Sequence, residues 1–306
     1  MAGDANFTSV SLLLHGDGPN GSTTFTDSSA TPKTVTANGN AQISTAQSMF
    51  GGASALFDGA GDYLSIAYSS ALSLISGDFA VEAWIYLTTL TAGSQTIFDK
   101  DGVTGASYSQ YALSITSGGK LTAFLGNGNG ASPTGTTYTG TTTVTLNAWH
   151  HVALVKTGST CKGFLDGDQE WSASAATMYE GSKALLIGYS VGQPSTVCFN
   201  GYIDELRITK GVARYTGNFT PPSAAFPDRA PQVSGNVKDS SGSNVARTVR
   251  AYRRDTGALV GSTTSNGTTG NYTIDCTTAE EVTVVAFDNA TSGTYYNDQV
   301  ARVIPA

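Results

Sequence analysis

The chain has 306 residues, which at roughly 150 per domain points to about two domains, each able to bury a core without disulfide or metal staples. Only 13% of it is Asp, Glu, Lys or Arg while 36 residues are Gly, which excludes a charged helical bundle or coiled coil and leaves an all-β chain with small polar surfaces. The net charge of −7 argues against nucleic acid as a partner, and no run nears the roughly 18 apolar residues of a membrane-spanning helix.

The opening Met-Ala-Gly-Asp-Ala-Asn has neither a basic nor an apolar signal region, so export by the general secretory route is not expected. Cys161, Cys198 and Cys276 are odd in number, widely spaced and without a Cys-x-x-Cys pair, which fits a reducing compartment rather than a disulfide framework or zinc knuckle. Short runs with period-two apolar alternation, separated by Gly, Asn, Asp, Ser and Thr, predict strands at 11–14, 54–57, 63–66, 79–87, 95–99, 111–116, 120–125, 150–156, 161–165, 184–187 and 201–209. A single helical turn is expected at 69–74. Asp166-Gly167 predicts a tight hairpin turn, and the almost wholly Gly, Asn, Ser, Thr and Tyr stretch 126–143 predicts a long rim loop.

Pro221, Pro222, Pro227 and Pro231 interrupt the strand rhythm, because proline lacks a backbone donor and fixes φ. The expected organisation is therefore a first domain over 1–222, a linker over 223–230 and a second domain over 231–306. Strands are expected there at 233–238, 248–253, 258–262, 272–276, 282–287 and 298–304, a spacing that suits a small immunoglobulin-like or transthyretin-like β-sandwich. Residues 1–228 hold nine basic and sixteen acidic residues and residues 229–306 hold seven of each, so the net acidity belongs to the first part.

Four segments, FDGAGDYLSI from Phe57, FAVEAWIYL from Phe79, NAWHHVALV from Asn147 and FNGYIDELRITKG from Phe199, together resemble the laminin-G-like, concanavalin A-like jelly-roll superfamily. The opening LLLHGDGPNGSTTFTDSS from Leu12 and the extension GVARYTGNFTPP from Gly211 resemble versions of this module in tailed-bacteriophage structural proteins. VSGNVKDSSG and RTVRAYRRDTGALVGST, from Val233 and Arg247, resemble small carboxypeptidase-regulatory-like or immunoglobulin-like modules appended to phage virion proteins. The resemblance implies an all-β chain: a large two-sheet jelly-roll sandwich followed by a small immunoglobulin-like β-sandwich. It also implies sheet faces that carry ligand grooves in sugar-binding or sugar-cleaving relatives, without assigning a ligand here.

On the strand 79–87, Glu82, Trp84 and Tyr86 share one face and Phe79, Val81, Ala83, Ile85 and Leu87 the other. The second set is core. The first could floor a sugar groove, since aromatic rings stack on pyranose C–H faces and a carboxylate accepts hydroxyl hydrogen bonds. The competing and preferred reading pairs Glu82 with His150 or His151 on a covered face and leaves Trp84 simply packed. Tyr138 and Trp171 are further candidate glycan contacts. The resemblance leaves calcium open as a cofactor, with Asp99 and Asp101 in one turn, Asp166 and Asp168 in another, and Asp58 and Asp62 as candidate ligands, although Asp-Gly turns are ordinary by composition and a structural turn is preferred at each.

The resemblance implies that sugar-cleaving, laminarinase-like relatives hydrolyse with two carboxylates at alternate positions of one strand. No Glu-x-Asp-x-x-Glu run exists, and Asp204 and Glu205 are adjacent and expected to face opposite sides. Gly-x-Ser-x-Gly is also absent. His150 and His151 should likewise point apart and are read as structural. The expectation is a non-enzymatic bacteriophage virion surface protein: a tail, baseplate or fibre component, or a capsid decoration. It would assemble in the host cytoplasm with other virion proteins as a homo-oligomer, most simply a trimer, and its lectin-like domain could bind host-surface glycan. A carbohydrate-active enzyme and a stand-alone carbohydrate-binding module are the alternatives.

Overall fold

The computed structural model describes residues 3–101, 109–126, 135–174, 178, 182–190, 198–287 and 297–305. They form two compact units, residues 9–226 and residues 227–306 together with 1–8.

The first unit holds β1 (Val10–Leu14), β2 (Val35–Asn38), β3 (Gln42–Ser44), β4 (Ser54–Asp58), β5 (Tyr63–Ile66), β6 (Phe79–Leu87), β7 (Gln95–Asp101), β8 (Ser109–Ile115), β9 (Lys120–Gly126), β10 (Gly135–Thr143), β11 (Trp149–Thr157), β12 (Thr160–Leu165), β13 (Asp168–Ser174), β14 (Leu185–Ile187) and β15 (Asn200–Lys210). An eight-stranded sheet runs β13-β12-β11-β6-β15-β4-β3, with β1 also paired to β15, and a seven-stranded sheet runs β10-β9-β8-β7-β14-β5-β2. At eleven residues β15 is long enough to pair β4 with its first part and β1 with its last along one side, while β6 pairs along the other. Between the sheets lies one apolar core that includes Phe57, Phe79, Ile85, Phe98, Tyr111 and Leu154. These come from the inward positions of alternating strands, which is why the sequence pattern locates them.

The expected helical turn is a 3-10 turn over Ser70–Leu72, started by the Ser69 hydroxyl accepting the Ala71 N–H at 3.3 Å. The expected rim loop differs. Residues 135–143 form β10, an edge strand paired to β9, while 127–134 lie outside the described residues. A Thr-rich stretch reads as loop when apolar alternation is the signal, yet β-branched Thr fits a pleated edge well, and the ladder to β9 supplies its backbone partners.

The second unit holds β16 (Gln232–Asn236), β17 (Thr248–Arg253), β18 (Leu259–Thr264), β19 (Asn271–Asp275), β20 (Val282–Phe287) and β21 (Asn297–Val303). β16 pairs with β19, and the other four form a sheet in the order β18-β17-β20-β21. Val233, Val249, Ala251, Ile274, Val282 and Val284 fill its separate core. The chain start joins this unit through the Asp4 N–H, which donates to the Arg229 carbonyl at 2.8 Å.

Candidate functional site

The face of the eight-stranded sheet that points away from the core is organised in rows across β11, β6 and β15. Pairing places Ala153, Glu82 and Arg207 in one row, His151, Trp84 and Asp204 in the next, and Trp149, Tyr86 and Tyr202 in a third. The third continues through Leu56 of β4 and Gln42 of β3. Rows one and three have opposite fates.

Row one is roofed by the segment that follows β15. Ala213, Tyr215 and Phe219 pack on Ala80, Ala153, Val155 and Phe164, with the Tyr215 and Phe219 rings stacked 3.5 Å apart. The strap is pinned where Phe219 N–H donates to the Gly167 carbonyl at 3.0 Å and Lys162 Nζ to the Thr216 carbonyl at 2.6 Å. Gly167 has φ +85°, and a Cβ there would strike the Phe219 carbonyl oxygen, so the turn must be glycine for the strap to seat.

Under this roof Glu82 is fully buried. Its Oε1 accepts from Arg207 Nε at 3.0 Å and Nη2 at 2.8 Å, and its Oε2 accepts from the Tyr215 hydroxyl at 2.7 Å. His151 Nε2 lies 3.3 Å from Oε2, Arg214 Nε lies 3.8 Å from Oε1, and the Arg207 guanidinium sits 3.6 Å over the Phe226 ring. Burial penalises the carboxylate, but Arg207, His151 and Arg214 outweigh it and hold the Glu82 carboxyl below its ordinary range. Among the described residues this is an ionic network with Glu82, His151 and Arg207 buried at its centre and Tyr215 and Arg214 half-buried over it.

In row two, Trp84 is buried edge-on between Phe50 and His151, at 6.1 and 5.2 Å. Beside it the alternation of β15 fails. Asp204 opposes Trp84 and Arg207 opposes Glu82, so β15 carries an extra residue at a bulge, with Glu205 at φ +50°. The expected opposite facing of Asp204 and Glu205 is corrected by this bulge. Glu205 accepts from His15 Nδ1 and from Phe226 N–H, both at 2.8 Å, and Phe226 lies over Arg207 on the outer side. Asp204 Oδ2 accepts the N–H groups of Met49 and Phe50 at 2.7 and 3.1 Å. Burial drives the Asp204 carboxyl up to about 7 against those two hydrogen bonds, with repulsion from Glu205 and Asp17 adding to it.

Among the described residues row three has no roof. Trp149, Tyr86 and Tyr202 are each half-buried, with ring centroids 5.5 Å apart at 58° for Tyr86 and Trp149, and 5.8 Å apart at 81° for Tyr86 and Tyr202. Leu56 and Gln42 beyond them are half-buried as well. Asn147, at φ +58°, starts β11 by donating its N–H to the Leu87 carbonyl at 2.8 Å, and so sets Trp149 opposite Tyr86. A row next to it is polar. Thr88 Oγ1 donates to Asn200 Oδ1, Asn200 Nδ2 to the Asp58 carbonyl at 3.0 Å, and Asn40 Nδ2 to Asp58 Oδ2 at 3.0 Å. Rings beside hydroxyl, amide and carboxylate groups form a surface on which sugar C–H faces and sugar hydroxyls both find partners.

Of the residues singled out from sequence, Tyr86 therefore stands at the centre of the open row, while Glu82 and Trp84 of the same strand lie under cover. Tyr138 and Trp171 are elsewhere. They stack on each other at 5.2 Å and 21° where β10 meets β13, Trp171 is buried, and a Cβ on Gly163 would collide with its indole. Asp166 accepts from His150 Nδ1 at 2.6 Å and from His151 N–H at 2.8 Å, and Asp168 accepts from Asn218 Nδ2 at 3.0 Å. Asp99 is buried on β7 in the other sheet, and the side chain of Asp101 lies outside the described residues. Among the described residues no group of three or more His, Cys, Asp or Glu could hold a metal ion.

Trp149 and Tyr202 were missed in the sequence. Each lies within a family-like motif, NAWHHV and FNGYIDEL, and only the register across three strands puts them beside Tyr86. The paired sheets define a large jelly roll of the lectin type. Residues 58–214, just over half of the 306, match the concanavalin A-like lectin/glucanases superfamily in its Laminin_G_3 branch, and the chain belongs to that family.

Among solved structures, the binding domain of paraclostridial mosquitocidal protein 1 is similar at a TM-score of 0.54 and 11% identity, over 97% of this chain and 76% of that one. The binding domain of botulinum neurotoxin serotype D is similar at 0.50 and 14%, over 99% and 80%. Domain 4 of the extracellular arabinanase AbnA from Geobacillus stearothermophilus, in complex with arabinotriose, gives 0.47 and 19%, over 70% and 96%. At such identities the likeness concerns the fold alone. No curated protein matches in sequence. Among the described residues no helix is long and apolar enough to cross a membrane.

Proposed function

We propose that this chain is a non-enzymatic, glycan-binding surface protein of a bacteriophage virion, and that the first unit binds sugar through the row Trp149, Tyr86 and Tyr202. The observation that carries the binding role is this row of three half-exposed rings on adjacent strands, bordered by polar side chains, in a lectin-family jelly roll. The virion assignment rests on the likeness of LLLHGDGPNGSTTFTDSS and GVARYTGNFTPP to phage structural modules, and it carries with it assembly in the host cytoplasm, other virion proteins as partners, and a homo-oligomer.

The absence of hydrolysis is argued from charge placement. Glu82 is neutralised by Arg207 and sealed, and Asp204 and Glu205 are both buried, so no pair of carboxylates is open to a glycosidic oxygen among the described residues. A glycan array probed with the full chain tests the binding reading, with a weakened signal in Tyr86→Ala as the expected result. Release of reducing sugar from a bound polysaccharide would overturn the non-enzymatic assignment. Locating the chain in a map of purified particles tests the virion reading, and sedimentation of the free chain tests the oligomer.

A further inference from the structure

Resting on the glycan-binding reading, the charges around the aromatic row narrow the class of sugar. An acidic glycan, one bearing sialic acid, uronate or sulfate, needs a cation or a cluster of N–H donors at its anionic group. Residues 9–226 contain nine Lys and Arg, and every one of them lies in a described part of the chain, so the segments outside the description add none. Eight of the nine hydrogen-bond elsewhere in the unit. Arg207 goes to Glu82, Arg214 to the Thr209 hydroxyl, and the lysines other than Lys183 to backbone carbonyls. Lys183 precedes β14 in the opposite sheet.

Across the aromatic row and the polar row beside it, the one charged side chain is Asp58. It is exposed, and hydrogen bonds from Asn40 and Ala60 hold its carboxyl below the ordinary range, so it is an anion at neutral pH. An anionic sugar laid on the rings would meet repulsion from Asp58 and, among the described residues of 9–226, no compensating cation. A neutral pyranose instead meets rings for its C–H faces, and Thr88, Asn200, Asp58 and Asn40 for its hydroxyls. The tilts of 58° and 81° between neighbouring rings also exclude simultaneous flat stacking on a planar crystalline surface. We infer that the row takes a single chain of uncharged pyranose and rejects acidic glycans and crystalline polysaccharide.

The test uses the full chain on an array of neutral, sialylated and uronate-containing glycans, with the best neutral oligosaccharide then titrated by calorimetry at low and high salt. Insoluble cellulose and chitin serve as pull-down controls. The expected result is binding confined to soluble neutral glycans, unchanged by salt, and weakened about 3- to 10-fold in Tyr86→Ala, as loss of one stacked ring implies. Gln42→Lys, which adds a cation at the end of the row without removing a ring, should admit acidic glycans that the unaltered chain rejects. Preference for an acidic glycan, affinity that collapses with salt, or retention on insoluble polysaccharide would overturn the inference and leave the glycan-binding reading standing. Binding to no glycan of any class would remove both.

Discussion

Two halves of one sheet face, reached by alternate residues of the same strand, have opposite chemistry. At Glu82 the face is dry, charged and roofed; at Tyr86, four residues on, it is aromatic, neutral and open. Nothing in β6 itself distinguishes the two positions. The difference is made by the strap over 211–226, whose Tyr215, Phe219 and Phe226 cover the first half and stop short of the second. A buried ion pair contributes little net stability when complete, yet it makes the roof non-negotiable, because either partner alone is a desolvated charge. An open aromatic row makes the reverse trade, giving up burial for a surface that can be occupied.

Breaking the covered half should have the largest effect. Arg207→Ala strands the Glu82 carboxylate under Tyr215 and should destabilise the first unit by about 3–5 kcal/mol. All three tryptophans, Trp84, Trp149 and Trp171, lie in that unit, so their fluorescence during urea unfolding reads it selectively. A loss under about 1 kcal/mol would mean that water reaches Glu82 and the roof is not closed.

The bulge between the halves gives the next effect. Asp204 has a folded-state carboxyl raised to about 7, so the native state holds a proton that the unfolded chain has released above about pH 4. Stability from this group is present at low pH and lost as pH rises through 7, on the order of 2–3 kcal/mol between pH 5 and pH 8. His150, raised chiefly by its hydrogen bond to Asp166, acts in the same direction, its contribution fading as pH rises above the ordinary histidine range. Unfolding midpoints measured across that range should fall for the unaltered chain and flatten in Asp204→Asn. A profile equally steep in the variant would assign the effect elsewhere.

Smaller still is Tyr215→Phe, which removes one hydrogen bond to a charged acceptor but keeps the stacked roof. About 1.5 kcal/mol of destabilisation is expected, at the low end because Arg207 still serves Glu82. The smallest stability change belongs to the open half. Tyr202→Ala should cost about 0.5–1.5 kcal/mol in folding, that of one ring contact, while glycan affinity drops by a similar free energy. A large folding cost there, matching that of Arg207→Ala, would show that the open row is structural and would erase the contrast.

Much of the fold is legible in the sequence because its signals are local. Alternation at Phe79 to Leu87 places the core on Val81, Ala83 and Ile85, and the Asp166-Gly167 turn and the rhythm after Pro231 follow from backbone conformations that few residues adopt. The residue type at Glu82, Trp84 and Tyr86, and the fact that all three face away from the core, were equally readable. Other features depend on partners remote in sequence. The strands over 135–143 and 168–174 need their ladders to β9 and β12, and the shared side of Asp204 and Glu205 needs a bulge that alternation cannot foresee. Burial is decided the same way. Glu82 closes with Arg207, 125 residues later, and Tyr86 gains Trp149 and Tyr202 only through strand register. Side-chain direction is a property of the local backbone, whereas what lies above that side chain is set by where a distant segment of chain packs, and on this sheet face that segment separates an ionic core from an open surface.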